Sequence, residues 1–359
     1  MTAQKTIVIG AGIIGCSIAC ALAAGGSDVV VLDAGRVAGD SSGRSFGWIN
    51  ASFHANEHHY HLRCEGIAAW RRLEAERGAL PISWGGAVCW EEQGAALAAQ
   101  RDRLRGLGYE VSHLQAEALQ HRLPGISGLP DEALVFPQEG VAETSAVTQA
   151  LARDAATFGA RFLTGVKALE ICEVGGRVTG VRTQQGVIPA DRVTLAAGVG
   201  SHPLLSPLDV ALPMLPRPGL LLTTVPIPKV LDTVLVTPEG EIRQLADGRI
   251  MMPTSVGHQA DTTEEITQTP DKIANSALDR IRHYFPQHDL SLEEVTLAWR
   301  PVPGDGLPVV GPTGLEGLYV SVMHSGITLA AVMAEMVSAE LQTGVIPDLL
   351  GPYRPSRFQ

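Results

Sequence analysis

The chain has 359 residues, 45% of them hydrophobic and 18% charged, enough for two domains around a substantial core. A formal net charge of −11, with lysine only at Lys5, Lys167, Lys229 and Lys272 and no basic cluster, argues against a nucleic-acid partner. Five cysteines (Cys16, Cys20, Cys64, Cys89, Cys172) form no CxxC pair, which fits reduced thiols and a cytoplasmic location.

In chain order, TIVIGAGIIGCSIACALAAGGSDVVVLDAG reads as strand, tight glycine turn, helix and second strand. Thr6–Ile9 is a continuous apolar run of the kind found in buried parallel strands. Ile13, Ile14, Ile18 and Leu22 then recur at helical spacing until Gly25-Gly26. The stretch could pass for a leader peptide, but Gly10, Gly12 and Gly15 interrupt it and only Lys5 precedes it. Neither secretion nor a membrane span is expected. The three glycines spell GxGxxG. The first permits the turn, the second admits a pyrophosphate to the backbone, and the third lets helix and strand pack closely. Asp33, 23 residues after Gly10 at the end of strand Val29–Leu32, is placed to accept from a ribose diol. Together these features predict a dinucleotide site without choosing between NAD and FAD.

Next comes GRVAGDSSGRSFGWINASF (35–53) instead of another helix and strand. Such a Gly/Ser-rich loop cannot fill a core, but it can wrap an extended ligand. FHANEHHYH (53–61) suggests a metal through His54, His58, His59 and His61. With no second ligand group in view, it reads better as the polar start of a helix. A helix at about 145–158, strand Arg161–Leu163 and strand Arg192–Ala196 ending in Ala197-Gly198 follow. Residues 215–257 alternate β-like runs with turn signals, including the hairpin pair Asp247-Gly248, and predict an antiparallel sheet crossed by a helix near 271–285. LEEVTLAWRP (292–301) is a strand with Arg300 at its end, and MHSGITL (323–329) starts a last helix.

Four of these segments resemble the D-amino-acid oxidase/glycine oxidase/sarcosine oxidase superfamily of FAD-dependent oxidoreductases. They are the nucleotide fingerprint with its acid, the SSGRSFGW loop (41–48), residues 136–171 with DRVTLAAGVGS (191–201), and WRPVPGDGLPVVGP with the helix after it. The resemblance implies an α/β fold: a Rossmann-like FAD domain of glutathione-reductase type (1–82, 140–205, 299–359) and an antiparallel-sheet α+β substrate domain (83–139, 206–298). It implies that Gly10, Gly12, Ile13, Ile14, Gly15, Asp33, Ala34, Ser41, Ser42, Arg44, Ser45, Phe46, Gly47, Trp48, Val166, Ala197, Gly198, Gly326, Ile327 and Thr328 hold FAD. Arg300 would form a bidentate pair with a substrate carboxylate, as a planar guanidinium can and a lysine does poorly. The opposing reading is a structural arginine paired with an acid such as Asp305. Gly304, Gly306 and Gly311 would let the loop after Arg300 lie against the flavin and neighbouring turns.

His324 falls where some relatives place a second substrate-contacting polar residue, and Trp48 and Asn50 would line the pocket. The implied reaction is oxidation of an amino acid or a carboxylate-bearing secondary amine by hydride transfer to flavin N5, giving an imine that hydrolyses. Electrons would pass to O2 or to an electron-accepting protein. A 2-hydroxy-acid oxidoreductase, with His324 as base, and a flavin subunit serving a partner protein are the competing readings. No cysteine follows Cys172 and no histidine lies in 45–50, so FAD should be non-covalent. Oligomeric state is left open.

Overall fold

The computed structural model of the chain describes residues 4–257 and 261–359. Two large sheets organise it. The first has six strands in the order Val309–Pro312, Leu318–Val322, Arg192–Leu195, Lys5–Ile9, Asp28–Asp33 and Arg161–Thr164. Its strands are parallel except for the Val309–Pro312 edge, which runs antiparallel.

Both faces of this sheet are covered, which explains the unbroken apolar runs. Alternate residues of a strand point to opposite faces. Val8, Val29 and Val31 join one core with the helices Ile13–Ala24, Thr144–Thr157 and Gly326–Thr343. Ile7, Ile9, Val30 and Leu32 pack on the other face with Ile171, Val178 and Val181, from a small antiparallel sheet of residues 168–189.

The second sheet has eight strands in the order Leu292–Trp299, Pro218–Thr224, Ile250–Pro253, Gly240–Gln244, Val234–Thr237, Ala87–Cys89, Glu132–Phe136 and Ser112–Gln115. It is antiparallel except where Val234–Thr237 meets Ala87–Cys89, and there the pairing is parallel. That exception lies at the seam between two separate stretches of chain, where no hairpin dictates direction. Asp247-Gly248 does sit in a hairpin, but the connection spans residues 245–249, with Gly248 at φ 94°. The helix Pro270–Ile281 crosses this sheet on Ala274, Ala277, Leu278 and Ile281, all fully buried, with proline in its first turn, where the missing N–H costs nothing. The helix Glu57–Arg77 starts at Asn56, whose Oδ1 accepts from His59 N–H at 2.9 Å. Among the described residues no single helix is long and apolar enough to cross a membrane.

Candidate active site

A cavity of about 1020 Å³ runs from the carboxyl end of the Asp28–Asp33 strand to the start of the Gly326–Thr343 helix. That is the upper end of the range for small-molecule sites, roughly 300–1,000 Å³. It lies where a nucleotide is expected, beyond the carboxyl ends of parallel strands.

At its first end the fit to a dinucleotide is carried by glycine. Gly10 sits at φ 108°, and a Cβ there would lie 2.4 Å from the Ala196 carbonyl. A Cβ on Gly15 would fall 1.9 Å from the Gly10 carbonyl, so this glycine serves packing below the cavity and does not line it. The helix Ile13–Ala24 has no capping side chain of its own at Gly12. Instead, the Ser42 hydroxyl accepts from Ile13 N–H at 2.9 Å. Asp33 is held by N–H donors from Ala11 and Gly35, each at 2.7 Å, and faces the cavity with further lone pairs to offer.

Ala34, Ser41, Ser42, Arg44, Ser45, Phe46, Gly47, Trp48, Ala197 and Gly198 line the same space, with Ile13, Ile14, Gly326, Ile327 and Thr328. Two of them do a further job. Ser41 donates to the Trp299 carbonyl at 2.8 Å and Arg44 to the Leu297 carbonyl at 3.3 Å, clipping the loop to the outgoing strand of the second sheet. Val166, like Gly15, does not line the cavity. It packs in the core, its N–H donates to the Asp33 carbonyl at 2.9 Å, and its neighbours Lys167 and Ala168 line the cavity in its place.

At the far end, Arg300 reaches the cavity wall with its stem against Gly219, where a Cβ would stand 3.5 Å from Arg300 Cδ. Its Nη2 donates to Asp261 Oδ2 at 3.1 Å, with the two side chains 12% and 10% exposed. Burial lowers the Arg300 pKa, and the Asp261 charge partly restores it. Burial acts to raise the Asp261 pKa, but the Thr263 hydrogen bonds and Arg300 prevail and hold it below the usual carboxylate range. Asp305 is engaged elsewhere, with Arg357 Nε at 2.7 Å. Two of the three glycines in the loop after Arg300 lie against neighbouring chain, and none lines the cavity. Gly304 faces Pro213, Gly311 faces Arg354 and Gly306 faces open space, while Pro301 touches the cavity. His324 lines this end, with Nδ1 3.5 Å from the Ser325 hydroxyl.

Asn50, expected at the pocket, is there, and it brings partners that no local motif announces. Arg63, 2% exposed, donates from Nε to the Asn50 carbonyl at 2.9 Å and from Nη2 to Asn50 Oδ1 at 2.6 Å. Its Nη1 donates to Ser325 Oγ at 2.6 Å. Behind them Glu139 is wholly buried and accepts from Trp48 Nε1 at 2.9 Å, Tyr109 Oη at 2.7 Å, and the N–H groups of Ala51 and Ser52 at 3.2 and 3.0 Å. Burial pushes the Glu139 pKa up against these hydrogen bonds. Trp48 is therefore both pocket wall and packing, its indole edge-on to Phe53 at 5.4 Å.

Among the described residues no three His, Cys, Asp or Glu side chains converge as a metal site. His54 approaches the Ala51 carbonyl and Arg103, while His61 pairs with Glu57.

Residues 5–340 match the family model described as DAO, FAD dependent oxidoreductase. The chain is 31% identical over 227 residues to a D-amino acid dehydrogenase of Bradyrhizobium diazoefficiens, covering 60% of this chain and 54% of that one. It is 26% identical over 379 residues to a glycine oxidase of Pseudomonas putida, with 98% of each covered. The match thus spans little more than half the length of the dehydrogenase relative. Among solved structures it superposes on glycine oxidase from Bacillus cereus at TM-score 0.86 and 21% identity, covering 98% of both chains. It superposes on L-proline dehydrogenase from P. horikoshii at TM-score 0.88 and 20% identity, covering 99% and 98%. With fingerprint, sheet order and cavity in agreement, the chain belongs to the DAO family of FAD dependent oxidoreductases.

Proposed function

We propose that the protein oxidises an amino acid or a carboxylate-bearing secondary amine, with FAD held non-covalently along the cavity. The observation that carries this reading is Arg300, a largely buried guanidinium on the wall of the cavity that the nucleotide fingerprint also lines. When bound, FAD supplies the hydride acceptor. The residues that would hold it are those lining the cavity from Asp33 and Gly10 to Gly326–Thr328. Arg300 binds the carboxylate by its planar edge and so fixes which substrate hydrogen faces the acceptor. Asp261 holds that edge at rest, and an incoming carboxylate exchanges with it. The start of the Gly326–Thr343 helix adds positive partial charge at the same end. Asn50 and Trp48 wall the site, and His324 offers the substrate a polar contact. An amine that enters neutral needs no strong base.

Non-covalent attachment is supported by the lining, which contains no cysteine. Five free thiols support a reducing, cytoplasmic setting. The names of the relatives support amino acids as the substrate class, and either oxygen or another acceptor could take the electrons. The reading is tested by mixing FAD-loaded protein anaerobically with D- and L-amino acids, N-methyl amino acids and 2-hydroxy acids. Bleaching of the visible flavin band with release of ammonia or an amine supports it. Bleaching only by hydroxy acids would replace it with that alternative.

A further inference from the structure

Arg63 is the most deeply buried charge on the cavity wall, and neither the fingerprint nor the carboxylate site accounts for it. Its three hydrogen bonds go to neutral acceptors: Asn50 O, Asn50 Oδ1 and Ser325 Oγ. No carboxylate among the described residues forms an ion pair with it. The buried acid behind it, Glu139, already accepts from Trp48, Tyr109, Ala51 and Ser52. A guanidinium taken out of water without a direct counter-charge costs several kcal/mol unless an anion arrives to meet it.

The position of Arg63 limits which anion that can be. Ser325, which takes its Nη1, is the residue just before the Gly326–Thr343 helix, and it holds φ 61°, a conformation rare for a residue with a side chain. Asn50, which takes the other two donors, is itself tied to that helix by its N–H to Thr328 Oγ1. The guanidinium is thus tied to the helix N-terminus on the cavity wall, and Gly326 at that N-terminus lies against Ile13 and Ile14 of the fingerprint helix. An FAD laid from Asp33 past Ile13 and Ile14 would bring its ring to this wall, where the substrate carboxylate already has Arg300.

We propose that Arg63 is the electrostatic partner of the flavin ring, supplying the positive charge that balances the negative charge the ring gains on reduction. The proposal rests on FAD binding and not on the identity of the substrate. Burial holds the Arg63 pKa down to about 10, with Glu139, Tyr109 and Cys64 acting in the opposite direction, so the group stays charged at neutral pH. Its role is separable from packing, because a lysine keeps the charge and a glutamine keeps donors without it.

The test compares wild-type, R63K, R63Q and R63M holoenzymes by spectroelectrochemical reduction and by sulfite titration, which reports positive charge near the ring. R63Q, with R63M as a second neutral variant should glutamine not be tolerated, is expected to weaken sulfite affinity at least tenfold. The same change lowers the two-electron potential by about 30 mV. R63K should stay within threefold of wild type. A neutral variant that binds FAD and keeps the wild-type potential and sulfite affinity would overturn the proposal. So would R63K shifted as far as R63Q, or an effect confined to carboxylate-ligand affinity. A wild-type protein unable to bind FAD would instead remove the cofactor reading beneath it.

Discussion

The two ends of the cavity are built by different means. The nucleotide end is made of backbone: glycines that leave room, N–H donors at a helix start, and one acid at the tip of a strand. All of it lies within about thirty consecutive residues. The other end is made of buried charge: Arg63 with Glu139 behind it, and Arg300 with Asp261, drawn from four distant stretches of chain. The contrast teaches that the first end is set by local sterics, whereas the second exists only once both sheets have formed.

That contrast can be broken most severely at Gly10. Gly10→Ala forces a Cβ into the Ala196 carbonyl at a positive φ, a strain of about 3 kcal/mol. Purified G10A protein should take up little or no FAD, as read from its visible absorbance. Normal flavin content would show that this turn is not the phosphate cradle. A comparably large effect, confined to the other end, is expected from Arg300→Ala. Removing the guanidinium should raise KM for carboxylate substrates roughly 100-fold while FAD stays bound. Unchanged kinetics would eliminate Arg300 as the anchor.

A smaller effect concerns pH. Burial, reinforced by Arg63 and His54, lowers the His59 pKa to about 3 from 6.5, and its Nε2 has no hydrogen-bond partner among the described residues. Between these values the unfolded chain binds more protons than the folded one. Stability is therefore full above about pH 6.5 and falls by on the order of a few kcal/mol as pH drops toward 3. In His59→Asn, denaturant midpoints measured across this range should fall less steeply than in wild type. An equal slope would assign the acid sensitivity to other groups. The smallest change is expected for Asp261→Asn. Relieving competition for Arg300 should tighten binding of a carboxylate inhibitor several-fold, read by perturbation of the flavin spectrum. Weaker binding would make Asp261 a support for Arg300 and not its competitor.

Much of the first end was legible in the sequence because each element there is local. Gly10, Gly12, Gly15 and Asp33 form a recognisable fingerprint by spacing alone. Arg300 and Asn50 were also found, the former through the strand that ends beside it. The partner of Arg300 was not, because Asp261 lies 39 positions away on a connection without periodicity. Arg63 and Glu139 were missed for a related reason. Arg63 sits in an ordinary helix, and its link to Ser325 spans 262 positions. Glu139 follows a strand in PQEG, where a surface turn is the natural reading. Only their burial marks them, and burial of a charge is what a sequence pattern shows least. Val166 illustrates a finer limit. It packs in the core, and its neighbours Lys167 and Ala168 line the cavity.

One extended cofactor along the cavity, its ring facing a carboxylate held by Arg300, ties the proposed chemistry together. Anaerobic reduction of the FAD-loaded protein by an amino-acid substrate and by its decarboxylated amine tests this most directly. Rapid bleaching by the amino acid and little by the amine is expected, a preference that Arg300→Lys blunts. Equal bleaching by both, unaltered in the variant, would contradict it.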